Sequence, residues 1–314
     1  MIIEKLKPIL KGYIKGIMYP AADIPRKTGG TDEAEYCYST WLRHLIKKNE
    51  IVEGVPNTVL ELGPGDSLGI GIAALLSGAE RYIGLDIIKY WSSETNVQMF
   101  DKLVVLFKAK ANLADEGQYP FLNPYLDSYD FPEAILTPEK MQRSLEPQRL
   151  LQIRQELENV VPTNKYVKFY SPWKREDVPA GSIDYLFSQA VLQYTDLPQT
   201  YASIETWLKQ GGLTAHSIDF SSHGITKTWN GHWSFSNTEW NHYSFRKKML
   251  LNRAPFSVHK ALLESLNFKV ILANKYFREN KLKPNQLGEP FKNMSEEDLK
   301  TSGAYMLSIK KERF

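Results

Sequence analysis

The chain has a single cysteine, Cys37, among 314 residues. One thiol excludes an internal disulfide framework and any cysteine-based zinc site, and a reducing cytoplasm is the simplest compartment. Charge of one sign is also scarce. The 39 basic and 36 acidic side chains leave a net charge of +3, too little to argue for a nucleic-acid partner. No stretch reaches the roughly 18 consecutive apolar residues of a membrane span. The N-terminus carries scattered lysines and lacks the apolar block of a signal peptide. Internal repeats and low-complexity tracts are missing too. What is present is ordinary: 42% hydrophobic and 24% charged residues. That is the balance of a soluble globular protein, long enough for one large domain or two small ones.

Residues 58–86, TVLELGPGDSLGIGIAALLSGAERYIGLD, organise the rest. Val59, Leu60 and Leu62 form a short apolar strand with Glu61 near its end. Gly63, Pro64 and Gly65 break it. Ser67 suits the N-cap of an apolar helix over 68–77, which Gly78 stops. Tyr82 to Leu85 read as a second strand, with Asp86 at its carboxyl end. Parallel strands joined by a helix leave a crevice at their carboxyl ends, where open α/β sheets bind ligands. The glycines let backbone approach such a ligand. Asp86, 25 residues after Glu61, is placed to accept both hydroxyls of a ribose. A dinucleotide fingerprint G-x-G-x-x-G requires glycine where the chain has Leu68.

Glu61 followed by glycines at 63, 65 and 69 resembles motif I, E/D-x-G-x-G-x-x-x-G, of the class I S-adenosylmethionine-dependent methyltransferases. The plainer alternative is a tight turn that holds nothing. DVPAGSIDYLFSQAVLQYTD (177–196) and WLKQGGLTAHSIDF (207–220) are similar to the family's fourth-strand and fifth-strand stretches. YCYSTWLRHL, SIDFSSHG and WNGHW look like a bacterial group within it. The resemblance covers about residues 56–277 and, more weakly, the C-terminal strand. It implies a Rossmann-like, doubly wound, seven-stranded and mostly parallel α/β sheet. Residues 1–55 form an N-terminal helical extension, and 56–314 the methyltransferase domain, with a partly helical insertion over 110–164. It implies S-adenosylmethionine as cofactor, held by Glu61, Gly63, Pro64, Gly65 and Asp86, with Trp173, Ser188 and Gln189 beside it. Trp173 by stacking, or Asp177, meets the adenine in this reading; a core tryptophan and a turn cap are the plainer roles. The family often has His where this chain has Tyr194.

Hydrophobic periodicity predicts helices over 34–48, 96–109, 137–160, 201–209 and 257–266, and further strands over 166–170, 183–187, 213–218, 268–277 and 305–310. Residues 1–18 carry an apolar helical stripe edged by lysines. It packs on the domain as a lid or lies on an anionic membrane as a peripheral contact. Arg43, His44 and Lys47 are assigned to the solvated face of their helix. The long 110–164 segment is a substrate cap or a remote surface ornament.

Four of the six histidines fall at 216, 223, 232 and 242. His216, Asp219 and His223 follow the fifth strand, where an acceptor would sit beside the sulfonium. Imidazole and carboxylate can act as base and orienting acid. They can also ligate a divalent ion, but the spacing matches no defined site and no metal is assigned. The plainer alternative is a core His216 and a loop-capping Asp219. Trp229, Trp233, Phe235, Trp240, Tyr243 and Phe245 bind an apolar or sugar ring, or form a satellite core. Arg246, Lys247, Lys248 and Arg253 hold an anionic group of the acceptor, or are solvated. The expected activity is methyl transfer to a hydroxyl of a small-molecule or glycan-like acceptor. The alternatives are N- or C-methylation and a catalytically inactive cofactor-binding partner subunit. The low net charge disfavours an RNA methyltransferase, and Leu68 disfavours a nicotinamide-dependent oxidoreductase.

Overall fold

The computed structural model describes residues 29–244 and 251–312. The stripe of residues 1–18, Phe245, Arg246, Lys247 and Lys248 therefore lie outside the described residues. Seven strands form one sheet: β1 (Thr58–Leu62), β2 (Arg81–Leu85), β3 (Val167–Tyr170), β4 (Ile183–Gln189), β5 (Leu208–Asp219), β6 (Phe268–Phe277) and β7 (Thr301–Lys310). Their spatial order is β3-β2-β1-β4-β5-β7-β6. Strands β1 to β5 pair in parallel, and β7 runs antiparallel between β5 and β6. This is the Rossmann-like, doubly wound arrangement expected from the resemblance.

Helices cover both faces, which is why β1 is buried at every position rather than alternating with solvent. The period-2 alternation of the strands instead divides two cores. Val59, Tyr82, Tyr185 and Phe187 face α1 (Ala34–Asn49), α2 (Gly69–Leu76) and α3 (Ser93–Ala109). Leu60, Ile83, Leu186 and Met306 face the other way. They meet α6 (Leu197–Trp207) and α8 (Phe256–Ser265). Because β2 lies on one side of β1 and β4 on the other, the chain crosses over in opposite directions. A crevice opens between β1 and β4 at their carboxyl ends.

The glycines after β1 divide into two jobs. Gly63 and Gly65 have φ of +69° and +74°, the left-handed region that favours glycine. A Cβ on Gly63 would also stand 2.5 Å from Val191 Cγ2. Gly71 instead lets α2 lie against β2, since a Cβ there would fall 2.1 Å from the Tyr82 ring. The Ser67 N-cap expectation is corrected: the helix starts one residue later, its N-cap is Leu68 with no side-chain cap, and the Ser67 hydroxyl accepts the Gly69 N–H at 3.0 Å from just outside it.

The 110–164 insertion carries α4 (Pro138–Ser144) and α5 (Pro147–Glu158). Its first part wraps α1. Arg43 donates to the carbonyls of Ala114 at 2.6 Å and Pro124 at 3.1 Å, and also to that of Leu122. Its guanidinium lies over the Tyr129 ring. Ser39 Oγ accepts the Ala114 N–H, and Tyr38 donates to the Ala111 carbonyl. The assignment of Arg43 and His44 to a solvated face is therefore corrected. Both are fully buried: the insertion folds over Arg43 and supplies the carbonyls a buried cation needs, while His44 packs on the sheet against Tyr185, Phe187 and Tyr305. Among the described residues no helix is long and apolar enough to cross a membrane.

Candidate functional site

A cavity of about 910 Å³ opens at the carboxyl ends of β1, β2 and β4. Gly63 and Gly65 line it from the turn after β1, and Asp86 from the tip of β2. The Asp86 carboxylate is held by backbone. Ile87 and Ile88 donate to Oδ1 at 2.7 and 3.3 Å, and Gly65 donates to Oδ2 at 3.4 Å. Burial raises its pKa, and those three N–H groups pull it back down. A carboxylate offers about four acceptor sites, so one on Oδ2 is left for a ligand hydroxyl.

The loop before α1 closes one side of the cavity. Gly29 donates to Asp66 Oδ2 at 3.0 Å, Asp66 donates to Thr31 Oγ1 at 2.9 Å, and Ser67 donates to the Thr31 carbonyl. Thr31 and Tyr36 thereby become lining residues. Burial pushes the Tyr36 phenol up to about 12, so it is a hydrogen-bond donor at neutral pH. The signal for this wall was the helix immediately upstream of β1, but its turn-rich approach gives no hint of which side chains face inward.

Trp173 and Gln189 line the cavity. Trp173 packs edge-on to Trp207 with ring centroids 5.4 Å apart. Gln189 is oriented from behind. His44 Nε2 lies 3.3 Å from its Oε1, and its Nε2 donates to the Asn123 carbonyl at 3.5 Å. His44 Nδ1 lies 3.0 Å from the Tyr185 hydroxyl, and burial lowers the ring's pKa to about 4. A neutral His44 thus accepts from Tyr185 and donates to Gln189. No single segment of sequence could have shown this relay, because His44 lies 141 residues from Tyr185 and 145 from Gln189.

Several expected contacts lie one layer below the cavity. Glu61 is buried and accepts the Tyr82 hydroxyl at 2.7 Å. It ties β1 to β2 and does not line the cavity. Burial pushes its pKa up to about 8. Pro64 is buried against Gly84. Ser188 Oγ lies 2.8 Å from His216 Nδ1, and Thr214 Oγ1 lies 2.8 Å from His216 Nε2. His216 is fully buried, and burial lowers its pKa to about 3. With both nitrogens engaged inside the sheet, His216 is a core histidine, and its assignment to catalysis is corrected. Glu61, Pro64 and Ser188 support the site rather than touch what it holds. Asp177 accepts the Lys174 N–H at 2.6 Å and caps its turn.

His223 does line the cavity. Its Nε2 lies 3.4 Å from Asp219 Oδ2, while Ser221 donates to Asp219 Oδ1 at 2.7 Å and fixes the carboxylate. His223 sits in the left-handed region at φ +46°, and Ala190, also lining, at φ +54°. Non-glycine residues in that region carry strain that concentrates at functional sites. Tyr194 packs against His223 at 5.4 Å between centroids. Burial and the Asp219 charge push its phenol up to about 12. Tyr194 is therefore no base at neutral pH.

The aromatic loop divides. Trp233 is buried in the main core with Leu60 and Ile83, Phe235 and Trp240 are buried in a separate satellite core, and Tyr243 reaches the cavity. Arg253 is not a free cation for an acceptor. It is buried, donates to the Phe235 carbonyl and Asn237 Oδ1, and stacks over Trp240 and Phe291. No residue of 110–164 lines the cavity. The insertion's hydrogen bonds go to α1, to the Leu75 and Ala79 carbonyls through Arg149, and to the lining Gln189 through the Asn123 carbonyl, so it meets the site from behind.

No family model and no curated protein matches the chain. Among solved structures it is similar to an S-adenosylmethionine dependent methyltransferase from Mesorhizobium loti, at 12% identity over 88% of this chain and 98% of that one, with a TM-score of 0.38. It is similar to S-adenosylmethionine-dependent methyltransferases from Methanosarcina mazei, at 12% identity over 85% of this chain and 98% of that one, with a TM-score of 0.40. It is also similar to geranyl diphosphate C-methyltransferase from Streptomyces coelicolor A3(2), at 7% identity over 86% and 77% of the two chains, with a TM-score of 0.40. Likeness at this level carries no activity or acceptor across to this chain.

Proposed function

We propose that the protein is an S-adenosylmethionine-dependent methyltransferase acting on a hydroxyl of a small molecule. The observation that carries this is the Asp86 carboxylate, aimed into the cavity beside the Gly63 and Gly65 turn with an acceptor site to spare. Ribose hydroxyls are donors that suit it. Thr31, Trp173 and Gln189 are polar or flat groups along the same cavity and suit the rest of an adenosyl ligand. Its volume is at the top of the range for a single small ligand, which suits a donor and an acceptor held together.

When bound, the cofactor supplies a methyl group on a cationic sulfur, which keeps the electron pair of the broken carbon–sulfur bond and becomes a neutral thioether. The chain's part is alignment of the acceptor and removal of its proton. His223 is the proposed base, and Asp219, fixed by the Ser221 N–H, orients the imidazole. His223 Nε2 faces Asp219, so Nδ1 is the nitrogen that takes the proton. Incubation with methyl-labelled S-adenosylmethionine and fractionated cell extract tests the proposal. Label should enter a small-molecule fraction and be released as a methyl ether. Label confined to protein or RNA would overturn it.

A further inference from the structure

A second recess, of about 480 Å³, shares no lining residue with the first cavity. Gly54, ahead of β1, and Gly78 and Glu80, ahead of β2, place it at the amino ends of those strands. The insertion supplies Lys140, Arg143 and Ser144 from α4 and Arg149 from α5. Three cations thus face one acid, Glu80. Among the described residues none of the three is ion-paired. Arg149 Nη2 donates to the Leu75 and Ala79 carbonyls at 2.8 and 2.7 Å, and its guanidinium lies over the Tyr166 ring. Carbonyls and ring fix its plane and leave its Nε and Nη1 donors over. Lys140 Nζ donates to the Ile135 carbonyl at 2.9 Å and keeps two further donors. Arg143 Nε donates to the Glu139 carbonyl at 3.4 Å, and its Nη1 and Nη2 have no partner among the described residues. The Glu139 carboxylate is solvent-exposed and lies outside the recess. The positive potential reaches behind the wall. Lys48 is buried there, donates to the Gly54 carbonyl at 2.7 Å, and is brought down to about 8 by burial, against the pull of Asp184 and with the push of Lys140.

We infer that this recess binds the phosphate group of a phosphate ester, with Lys140, Arg143 and Arg149 as its donors. A carboxylate carries one charge and two oxygens. A phosphate monoester carries close to two charges and three free oxygens, which suits two planar guanidinium forks and an ammonium set against a single acid. The volume falls within the range of small-ligand sites, so the recess has room for the alcohol part of the ester as well. Val55 offers that part an apolar wall, and Glu80 offers its hydroxyls an acceptor. Arg149, held by the end of α2 and by Tyr166, is pre-set for the ligand and loses little freedom on binding it. The inference does not rest on the methyl-transfer reading.

The test is a titration of the whole chain with glycerol phosphate, read by amide NMR shifts, with acetate as the singly charged control. A parallel arm measures co-sedimentation with phosphatidic acid vesicles, using phosphatidylcholine vesicles as the neutral control. The Gly54, Gly78 and Ser144 amide signals should shift and saturate with glycerol phosphate, at least about tenfold more tightly than with acetate, the scale of one added charge-assisted hydrogen bond. Lys140→Gln and Arg143→Gln should each weaken binding about tenfold. Both side chains project from the protein surface, so an unchanged melting temperature without ligand shows that the variants fold. Saturation by glycerol phosphate assigns the site to a soluble ester. Retention on phosphatidic acid alone, lost in both variants, assigns it to a lipid headgroup of the same chemistry. Binding in neither arm would overturn the inference. So would acetate binding as tightly as the ester, shifts that spare Gly54, Gly78 and Ser144, or affinity unmoved in both variants.

Discussion

His223 and His216 stand seven residues apart and have opposite fates. His223→Ala and Asp219→Asn should each lower turnover by about 10²–10⁴, the usual loss of a general base, with cofactor affinity preserved. His216→Ala should instead strip both the Ser188 and Thr214 hydroxyls of a partner. We expect a loss of about 2–4 kcal/mol in denaturant unfolding, with normal turnover in the folded fraction. The sequence could not separate the two. Residues 212–218 of β5 are buried on both faces, so no alternation marks which side chain faces a site. Glu61 gives a pH signature. Its folded pKa of about 8 stands above the ordinary 4.5, so the folded state holds a proton that the unfolded chain releases. Its contribution is full below about pH 4.5 and is lost as pH rises through about 8. Glu61→Gln, which mimics the neutral acid, should flatten that decline in melting temperature. A variant whose stability falls as steeply as the parent's would contradict the assignment.

At the scale of elements, β1, β2 and β4 were readable because each is a short apolar run bounded by turn residues, whereas β5 and β7 start at Leu208 and Thr301, in polar and glycine-containing stretches ahead of their apolar runs. The glycine turn and Asp86 were readable for the same reason, since they fall at the ends of those runs. Contacts between elements were not. Arg43 sits in a charged-looking stretch, and its partners at Ala114, Leu122 and Pro124 belong to a segment with little periodicity. Arg43→Leu should leave those carbonyls without a donor and cost about 2–4 kcal/mol. Hydrogen exchange should quicken across 111–126. Any change in cofactor affinity should come through Gln189, the lining residue that donates to the Asn123 carbonyl. Exchange unchanged over 111–126 would show that the insertion is held by other contacts.

At the scale of the molecule, the reversal of strand order at β1 and β4 places the cavity, and Gly29 and Thr31 of the loop before α1 form part of its wall. Binding to the folded state alone stabilises it by mass action, by about 2.7 kcal/mol at a hundredfold excess over Kd. The most direct measurement is therefore calorimetric titration of the purified protein with S-adenosylhomocysteine, repeated on Asp86→Asn and Gly63→Val. We expect one site of micromolar affinity in the parent, about thirtyfold weaker binding in Asp86→Asn, the scale of a charge-assisted hydrogen bond, and none in Gly63→Val. Undiminished affinity in both variants, or micromolar binding of a nicotinamide dinucleotide with none of S-adenosylhomocysteine, would contradict it.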